Sequence, residues 1–193
     1  MNQVSERVQQ LRAHTDIVVA RARDGAIGVH GELLVPIRED LRRFKRLTAG
    51  DTVIYGRKTL ATFPGAKPLV GRRNLILSRS LRTEDLGELP AGTEAQIVSS
   101  LEELEALLLQ ALPEQAGLRK RFHIIGGAQV YTQLLPWAGV LHITEIDLER
   151  PDADAWLDDE VTEGFRRDWQ GPWMRAGKVK PFAYRYLRYT REA

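Results

Sequence analysis

Cysteine is missing from this 193-residue chain. Its absence excludes disulfides, a thiol nucleophile and thiolate metal ligands. Long apolar runs are missing too, since no stretch reaches the ~18 residues needed to cross a bilayer. Charge of one sign is not in excess: 28 Lys and Arg stand against 26 Asp and Glu, for a formal net charge of +2. The basic residues are scattered, apart from short clusters at Arg42–Arg43–Lys45–Arg46 and Arg166–Arg167. No basic tail and no basic–aromatic alternation points to RNA recognition, so nucleic acid is not an expected partner. The four histidines, His14, His30, His123 and His142, lack paired ligand spacing, and no metal site is expected. No serine sits in a nucleophile-elbow context. The start of the chain, Met1–His14, is polar and mixed in charge, unlike a signal peptide. A cytoplasmic protein, most simply a monomer, is the expectation.

What is present is an ordinary globular composition, 43 % hydrophobic and 28 % charged, at a length that suits one compact domain. Residues 1–15 read as an extension in which Val4, Val8 and Leu11 allow a short helix, and residues 16–193 as the domain proper. Short apolar strands are expected at Asp16–Ala20, Thr52–Tyr55, Asn74–Leu77, Ile97–Val98, Phe122–Ile125 and Val140–Asp147, with a last, aromatic-rich strand from Lys178 to Thr190. Helices are expected at Asp40–Leu47, Leu101–Leu112 and Ala128–Leu135. Ser100 is a fitting N-cap for the second, with Glu103 three residues on. The acidic stretch Asp152–Glu160 lacks the glycine placement of a calcium loop and reads as solvated loop. Alternating strands and helices predict an α/β fold: a mainly parallel central sheet with flanking helices and an antiparallel C-terminal edge.

Two strand ends point to a phosphate-bearing ligand. Val53-Ile54-Tyr55 runs into Gly56-Arg57-Lys58-Thr59, and Ile124-Ile125 runs into Gly126-Gly127-Ala128. Glycine lets backbone approach a ligand closely, and a following helix start offers free N–H groups. Each pattern alone also describes a tight turn. Ser78-Arg79, after a third strand, adds a hydroxyl and a cation. Asp40 opens an amphipathic helix. It reads either as an N-terminal acid favoured by the helix dipole or as a lone carboxylate facing an apolar pocket. Arg72 reads either as a carboxylate anchor or as a solvated turn residue.

Taken in order, these segments resemble the dihydrofolate reductase family from about Ile17 to Thr190. The matching pieces are Ile27-Gly28, Asp40-Leu41-x-x-Phe44-Lys45, Gly56-Arg57-x-Thr59, Pro68-Leu69-x-Gly71-Arg72-x-Asn74, Ser78-Arg79, Ile125-Gly126-Gly127 with Tyr131, and Ile143-Thr144-x-Ile146. The resemblance implies NADPH-dependent reduction of 7,8-dihydrofolate to tetrahydrofolate. It implies that Asp40 holds the pterin and supports protonation, with Thr144 hydrogen-bonded to it. Leu41, Phe44, Phe63 and Leu69 would wall the substrate, Val18 and Ile125 would line the pterin site, and Arg72 would bind the glutamate carboxylate. Ala20, Ile27 and Gly28 would position the nicotinamide near Tyr131. Gly56, Arg57, Lys58, Thr59, Ser78, Arg79, Gly126, Gly127, Ala128, Gln129 and Val130 would hold the rest of NADPH. Where the family shows Asn-x-x-Pro-Trp-x-Leu-Pro, this chain has Gly31-Glu32-Leu33-Leu34-Val35-Pro36-Ile37-Arg38. Val35 replaces the Trp, so a looser lid is expected. Two other readings stay open: a pyrimidine reductase of the same fold, like that of riboflavin synthesis, and an NADPH-binding paralogue with weak catalysis.

Overall fold

The computed structural model describes residues 3–112, 121–177 and 181–192, with side chains from residue 6 onward. Helix α1 (Gln3–His14) leads directly into β1 (Thr15–Ala22). Next come β2 (Ala26–Gly28), α2 (Arg38–Thr48), β3 (Thr52–Gly56), α3 (Arg57–Thr62), β4 (Arg73–Leu77) and β5 (Glu94–Val98). The chain continues through α4 (Leu101–Gln110), β6 (Phe122–Gly126), α5 (Ala128–Leu134) and β7 (Val140–Asp147). It ends with β8 (Ala155–Trp156), β9 (Phe165–Gln170), β10 (Met174–Ala176) and β11 (Phe182–Arg191). Six strands run parallel in the order β5-β4-β3-β6-β1-β7. β11 adds antiparallel to β7, and β9 and β10 both pair antiparallel with β11. The expected mainly parallel sheet with an antiparallel C-terminal edge is therefore present.

Strand periodicity of two gives this sheet two unlike faces. One face presents Ile17 and Val19 of β1, Ile54, Leu75, Ile124, Leu141, Ile143 and Leu187. Leu11 of α1, Leu104 and Leu108 of α4, and Val130 and Leu134 of α5 cover it. The other face presents Val18, Val53, Tyr55, Ile76 and Ile125. Phe44 and Leu47 of α2 and Leu60 of α3 pack against it. This second face also carries Asp16, His123, His142, Thr144 and Asn74, which share strand parity with those apolar residues.

Near the start of β1, Asp16 is 3 % exposed. Arg121 grips it with both Nε and Nη2. His142 Nε2 and His123 Nδ1 lie 3.6 and 3.9 Å from its Oδ2. Burial works to raise the Asp16 pKa, but the hydrogen bonds from His142 and Arg121, and the guanidinium charge, outweigh it and hold Asp16 below the ordinary carboxylate range. His123 also contacts Asp51 through Nε2 at 3.1 Å.

The structure departs from the sequence expectations in three places. The acidic stretch Asp152–Glu160 is not simply solvated: β8 within it pairs with β2, and Leu157 and Val161 are buried. Its apolar residues seek cover while Asp152, Asp154 and Asp159 find Arg150, His30 N and Arg21 as partners. β9 and β10 lie outside the expected strands, because Arg166, Arg167 and Asp168 on exposed β9 mask strand alternation. The tail strand is seen from Phe182, and its expected start at Lys178 lies outside the described residues. The α4 cap is half as expected. Ser100 Oγ accepts from Glu103 N at 3.1 Å, but the Glu103 carboxylate turns back to Ser99, accepting from its N and Oγ at 2.8 Å each.

Candidate active site

The carboxyl ends of the parallel strands open into one continuous cleft of about 1420 Å³. Ordinary single-ligand pockets hold ~300–1,000 Å³, so there is room for two molecules side by side. Every site residue expected from the sequence lines this cleft except Thr144, which is 2 % exposed and reaches it only through Asp40. Val18, Ala20 and Ile125 form its floor. Leu41, Phe44, Phe63 and Leu69 gather at one end, and Arg57, Lys58, Ser78 and Arg79 at the other.

Asp40 does not cap its helix. Ile37 occupies the N-cap, without a side-chain cap, and Asp40 lies within the first turn. Its Oδ1 accepts a hydrogen bond from Thr144 Oγ1 at 2.6 Å. Thr144 sits on β7 in register with Ala20 of β1 and Tyr186 of β11. Burial raises the Asp40 pKa; the Thr144 hydrogen bond and the Arg43 charge only partly offset it. Such a carboxylate takes up a proton more readily than an exposed one.

Arg72 is not a solvated turn residue, being 8 % exposed. Its Nε donates to Thr48 Oγ1 at 2.9 Å and its Nη1 to Val70 O at 2.7 Å. The guanidinium carbon stands 5.9 Å from the centre of the Phe44 ring. Nη2 makes no hydrogen bond among the described residues, so the fork is pinned on one side and free on the other. Asn74, wholly buried, shapes the turn that carries Arg72. Its Oδ1 accepts from Tyr55 Oη and Leu69 N at 2.9 Å, and its Nδ2 donates to Leu69 O, Arg72 O and Glu94 O.

At the opposite end, β6 closes on Gly126, whose φ is +130°. A Cβ there would lie 3.2 Å from Thr59 Oγ1 and 3.5 Å from Tyr131 Oη, so only glycine lets α3 and α5 begin this close together. A cis peptide links Gly126 to Gly127. Gly56 is tight as well, since a Cβ on it would meet Val130 Cγ2 at 3.2 Å. Tyr131 Oη donates to Val18 O at 2.9 Å, tying α5 to β1, and burial pushes this phenol's pKa up. Arg57, Lys58 and Arg79 form no ion pair among the described residues. Ser78 Oγ accepts from Ser80 N and Leu81 N at 3.2 and 3.0 Å. That oxygen shapes its turn, and the hydroxyl hydrogen remains as its donor.

The segment expected as a lid, between Gly28 and Asp40, is tied down together with the turn before it. Val29 and Glu32 exchange backbone hydrogen bonds of 3.1 and 2.8 Å. Asp154 Oδ1 accepts from His30 N at 3.0 Å, and Asp154 N donates to Gly28 O at 3.3 Å. Arg150 donates to Leu34 O at 2.6 Å through Nη1 and to Asp24 Oδ2 at 2.6 Å through its backbone N. Leu34 and Ile37 are buried beside half-buried Val35. Sequence reasoning missed these lid partners, together with Asp154, Ala155 and Trp156 on the cleft wall. Trp156-Leu157 amid carboxylates was the available signal. It also missed Ser99 and Leu101, which line the cleft at the end of β5 as β3 and β6 residues do at theirs. The strand–Ser-Ser–helix junction had marked that position.

Comparison with known proteins bears on this cleft. A family model described as dihydrofolate reductase matches residues 14–191. A dihydrofolate reductase of Mycobacterium tuberculosis is 34 % identical over 180 residues, covering 91 % of this chain and 96 % of that one. One from Neisseria gonorrhoeae is 37 % identical over 173 residues, covering 90 % and 95 %. The solved structure of an Enterococcus faecalis dihydrofolate reductase, complexed with NADP(H) and RAB-propyl, superposes with a TM-score of 0.71. It covers 94 % of this chain and 98 % of its own at 23 % identity, a likeness of fold.

Proposed function

This chain belongs to the dihydrofolate reductase family and is an NADPH-dependent reductase of 7,8-dihydrofolate; we propose that Asp40, Arg72 and the strand-end cations divide the work of that reaction. The observation that carries the proposal is the Asp40–Thr144 pair, held at 2.6 Å beside an apolar end of the cleft. Asp40 binds the planar pterin edge and supports delivery of one proton to its N5, through water. Thr144 fixes the carboxylate's orientation, and Leu41, Phe44, Phe63 and Leu69 enclose the ring system. Val18 and Ile125 offer backbone carbonyls to the pterin. Arg72, pinned by Thr48 and Val70 O, turns its free Nη2 toward the glutamate carboxylate.

The other end suits a dinucleotide. The glycine cradle at Gly126 excludes a side chain, and Arg57, Lys58 and Arg79 bring cationic charge into the cleft. NADPH, when bound, supplies the hydride. Arg57, Lys58 and Thr59 hold phosphate oxygens, while Ser78 and Arg79 favour a 2′-phosphate over a hydroxyl by charge-assisted hydrogen bonds. Gly126–Val130 back the dinucleotide, and Ala20, Ile27, Gly28 and Tyr131 confine the nicotinamide. We propose that the protein acts as a monomer and in the cytoplasm. No helix among the described residues is long and apolar enough to cross a membrane.

Loss of NADPH absorbance, followed with dihydrofolate, with a ribosylaminopyrimidine and with neither, tests the assignment. Oxidation should require dihydrofolate, and NADPH should outperform NADH. The pairing of Asp40 with Arg72 favours folate over the pyrimidine. Tight NADPH binding without turnover would favour a non-catalytic paralogue instead.

A further inference from the structure

Arg43 lies one helical turn beyond Asp40 on α2 and has no place in the roles above. It is half-buried, against the sheet face that carries Thr144. Its guanidinium carbon stands 4.5 Å from the centre of the Tyr186 ring. Its Nη2 lies 3.5 Å from His142 Nδ1. For that contact to be a hydrogen bond, Nδ1 must carry the lone pair, which puts the imidazole proton on Nε2, toward Asp16 Oδ2 at 3.6 Å. His142 and Thr144 alternate on β7, and Tyr186 is the register partner of Thr144. Three elements thus converge behind Asp40, and one long cationic side chain is clamped between them.

We propose that Arg43 is a positioning residue for the reaction: its guanidinium, held by Tyr186 and His142, is the counter-charge that keeps the Asp40 carboxylate ionised until substrate arrives. This rests on the reading of Asp40 as the proton-supporting group. Asp40 and Arg43 form no ion pair within 4.0 Å, so the cation acts through space and leaves the carboxylate free for the pterin. Burial draws the Arg43 pKa down, with the Asp40 charge opposing, yet a guanidinium stays protonated at any physiological pH. The groups facing the pair are few. From β7, Thr144 faces Asp40 and His142 faces Arg43, and from β11 Tyr184 and Tyr186 face Asp40. The Tyr186 phenol is pushed up to about 12, chiefly by burial, and so remains neutral. On α2 itself, Arg46 acts on Arg43 and Glu39 on Tyr184. Arg43 is therefore the only cation acting on Asp40 among these groups.

The test follows Asp40 directly. Carboxyl carbon NMR of the ligand-free protein, with Asp40→Asn identifying the resonance, reads its titration midpoint in wild type, Arg43→Met, Arg43→Gln and Arg43→Lys. Thermal melts confirm folding, and two neutral variants guard against one failing to fold. Losing the cation should raise the midpoint by about half to one pH unit in both neutral variants, a modest share of the shift that close opposite charges produce. Arg43→Lys should hold it near the wild-type value. The alkaline fall of turnover should move to higher pH by the same amount. A purely structural role would lower the maximal rate and leave that limb in place. An unmoved Asp40 midpoint in both neutral variants overturns the proposal. A moved midpoint with an unmoved rate profile upholds Arg43 as counter-charge and removes Asp40 as the proton-supporting group.

Discussion

The two faces of the central sheet solve different problems with the same strands. Under α1, α4 and α5, Ile17, Ile54, Leu75, Ile124 and Leu141 are wholly buried and apolar. Such a face needs only shape and volume. One residue over along the same strands, Asp16, His123, Thr144 and Asn74 are as deeply buried but polar. Buried polar atoms must find partners, and here nearly all do. His123 Nδ1 is the exception on this face; Thr15 Oγ1, the other unpartnered buried atom among the described residues, lies on the Ile17 side of β1. The first face supplies stability with wide tolerance, and the second spends part of its stability on holding a few groups in place. Side-chain alternation along a strand is what lets one chain do both.

Asp40→Asn attacks the second face where the contrast is sharpest. Turnover near neutrality should fall by at least ~10²-fold, the scale of a lost proton-transfer group, and recover as pH falls. Stability should move the other way. The folded pKa of Asp40 lies above its unfolded value, so its stabilising contribution is full below the unfolded value and is lost as pH rises through the folded one. The ligand-free variant should therefore melt above the parent at neutral and alkaline pH, with the gap closing in acid. Near-native turnover would remove Asp40 from the mechanism.

Leu108→Ala makes the reverse cut. It removes a wholly buried side chain on the apolar face and should cost about 2–5 kcal/mol in denaturant unfolding. The Michaelis constants should stay put while the fold persists. A large change in either constant would show that the two faces are not independent.

Arg72→Leu should raise the Michaelis constant for dihydrofolate by about thirtyfold or more, corresponding to ~2 kcal/mol for a desolvated charge pair. Maximal turnover should change far less. A pterin without the glutamate should barely notice. Equal losses for both substrates would assign Arg72 to the architecture of its turn.

Val35→Trp is the mildest. An indole offers a donor and more contact area than valine. Dihydrofolate should bind a few-fold tighter, and product release should slow accordingly. Weaker binding would mean that this lid follows its own path between Gly28 and Asp40.

Elements whose signal is local were legible from the residues. The β-branched run of β1, the leucine spacing of α4 and the glycines closing β3 and β6 each carry their structure within a few residues. Asp40 was visible but ambiguous, because its deciding partner, Thr144, lies 104 positions away. The order of motifs, more than any one residue, favoured the pocket-facing reading. The lid supports were not legible: Arg150 reaches Leu34 across 116 positions, and Asp154 reaches His30 across 124. Single hydrogen bonds of that kind leave no periodicity. Nothing in the sequence sets Arg43 apart within the cluster Arg42–Arg43–Lys45–Arg46, whose other members are exposed. Only the helix's seating on β7 and β11 separates it from them.

The junction between α1 and Gly139 ties together parts of the chain that sequence comparison treats apart. A Cβ at Gly139 would lie 2.0 Å from Arg12 O, Arg12 Nε holds Pro136 O at 2.8 Å, and Leu11 is completely buried. The family match begins at residue 14, the last residue of this helix. The ban on a side chain at Gly139 thus lasts only while the helix is docked. A lineage that shed the helix would be released to place any small residue there, and could not then regain the helix without first restoring glycine. Glycine at 139 and the docked helix are in this way two halves of one contact, and a side chain at the first would push out the second.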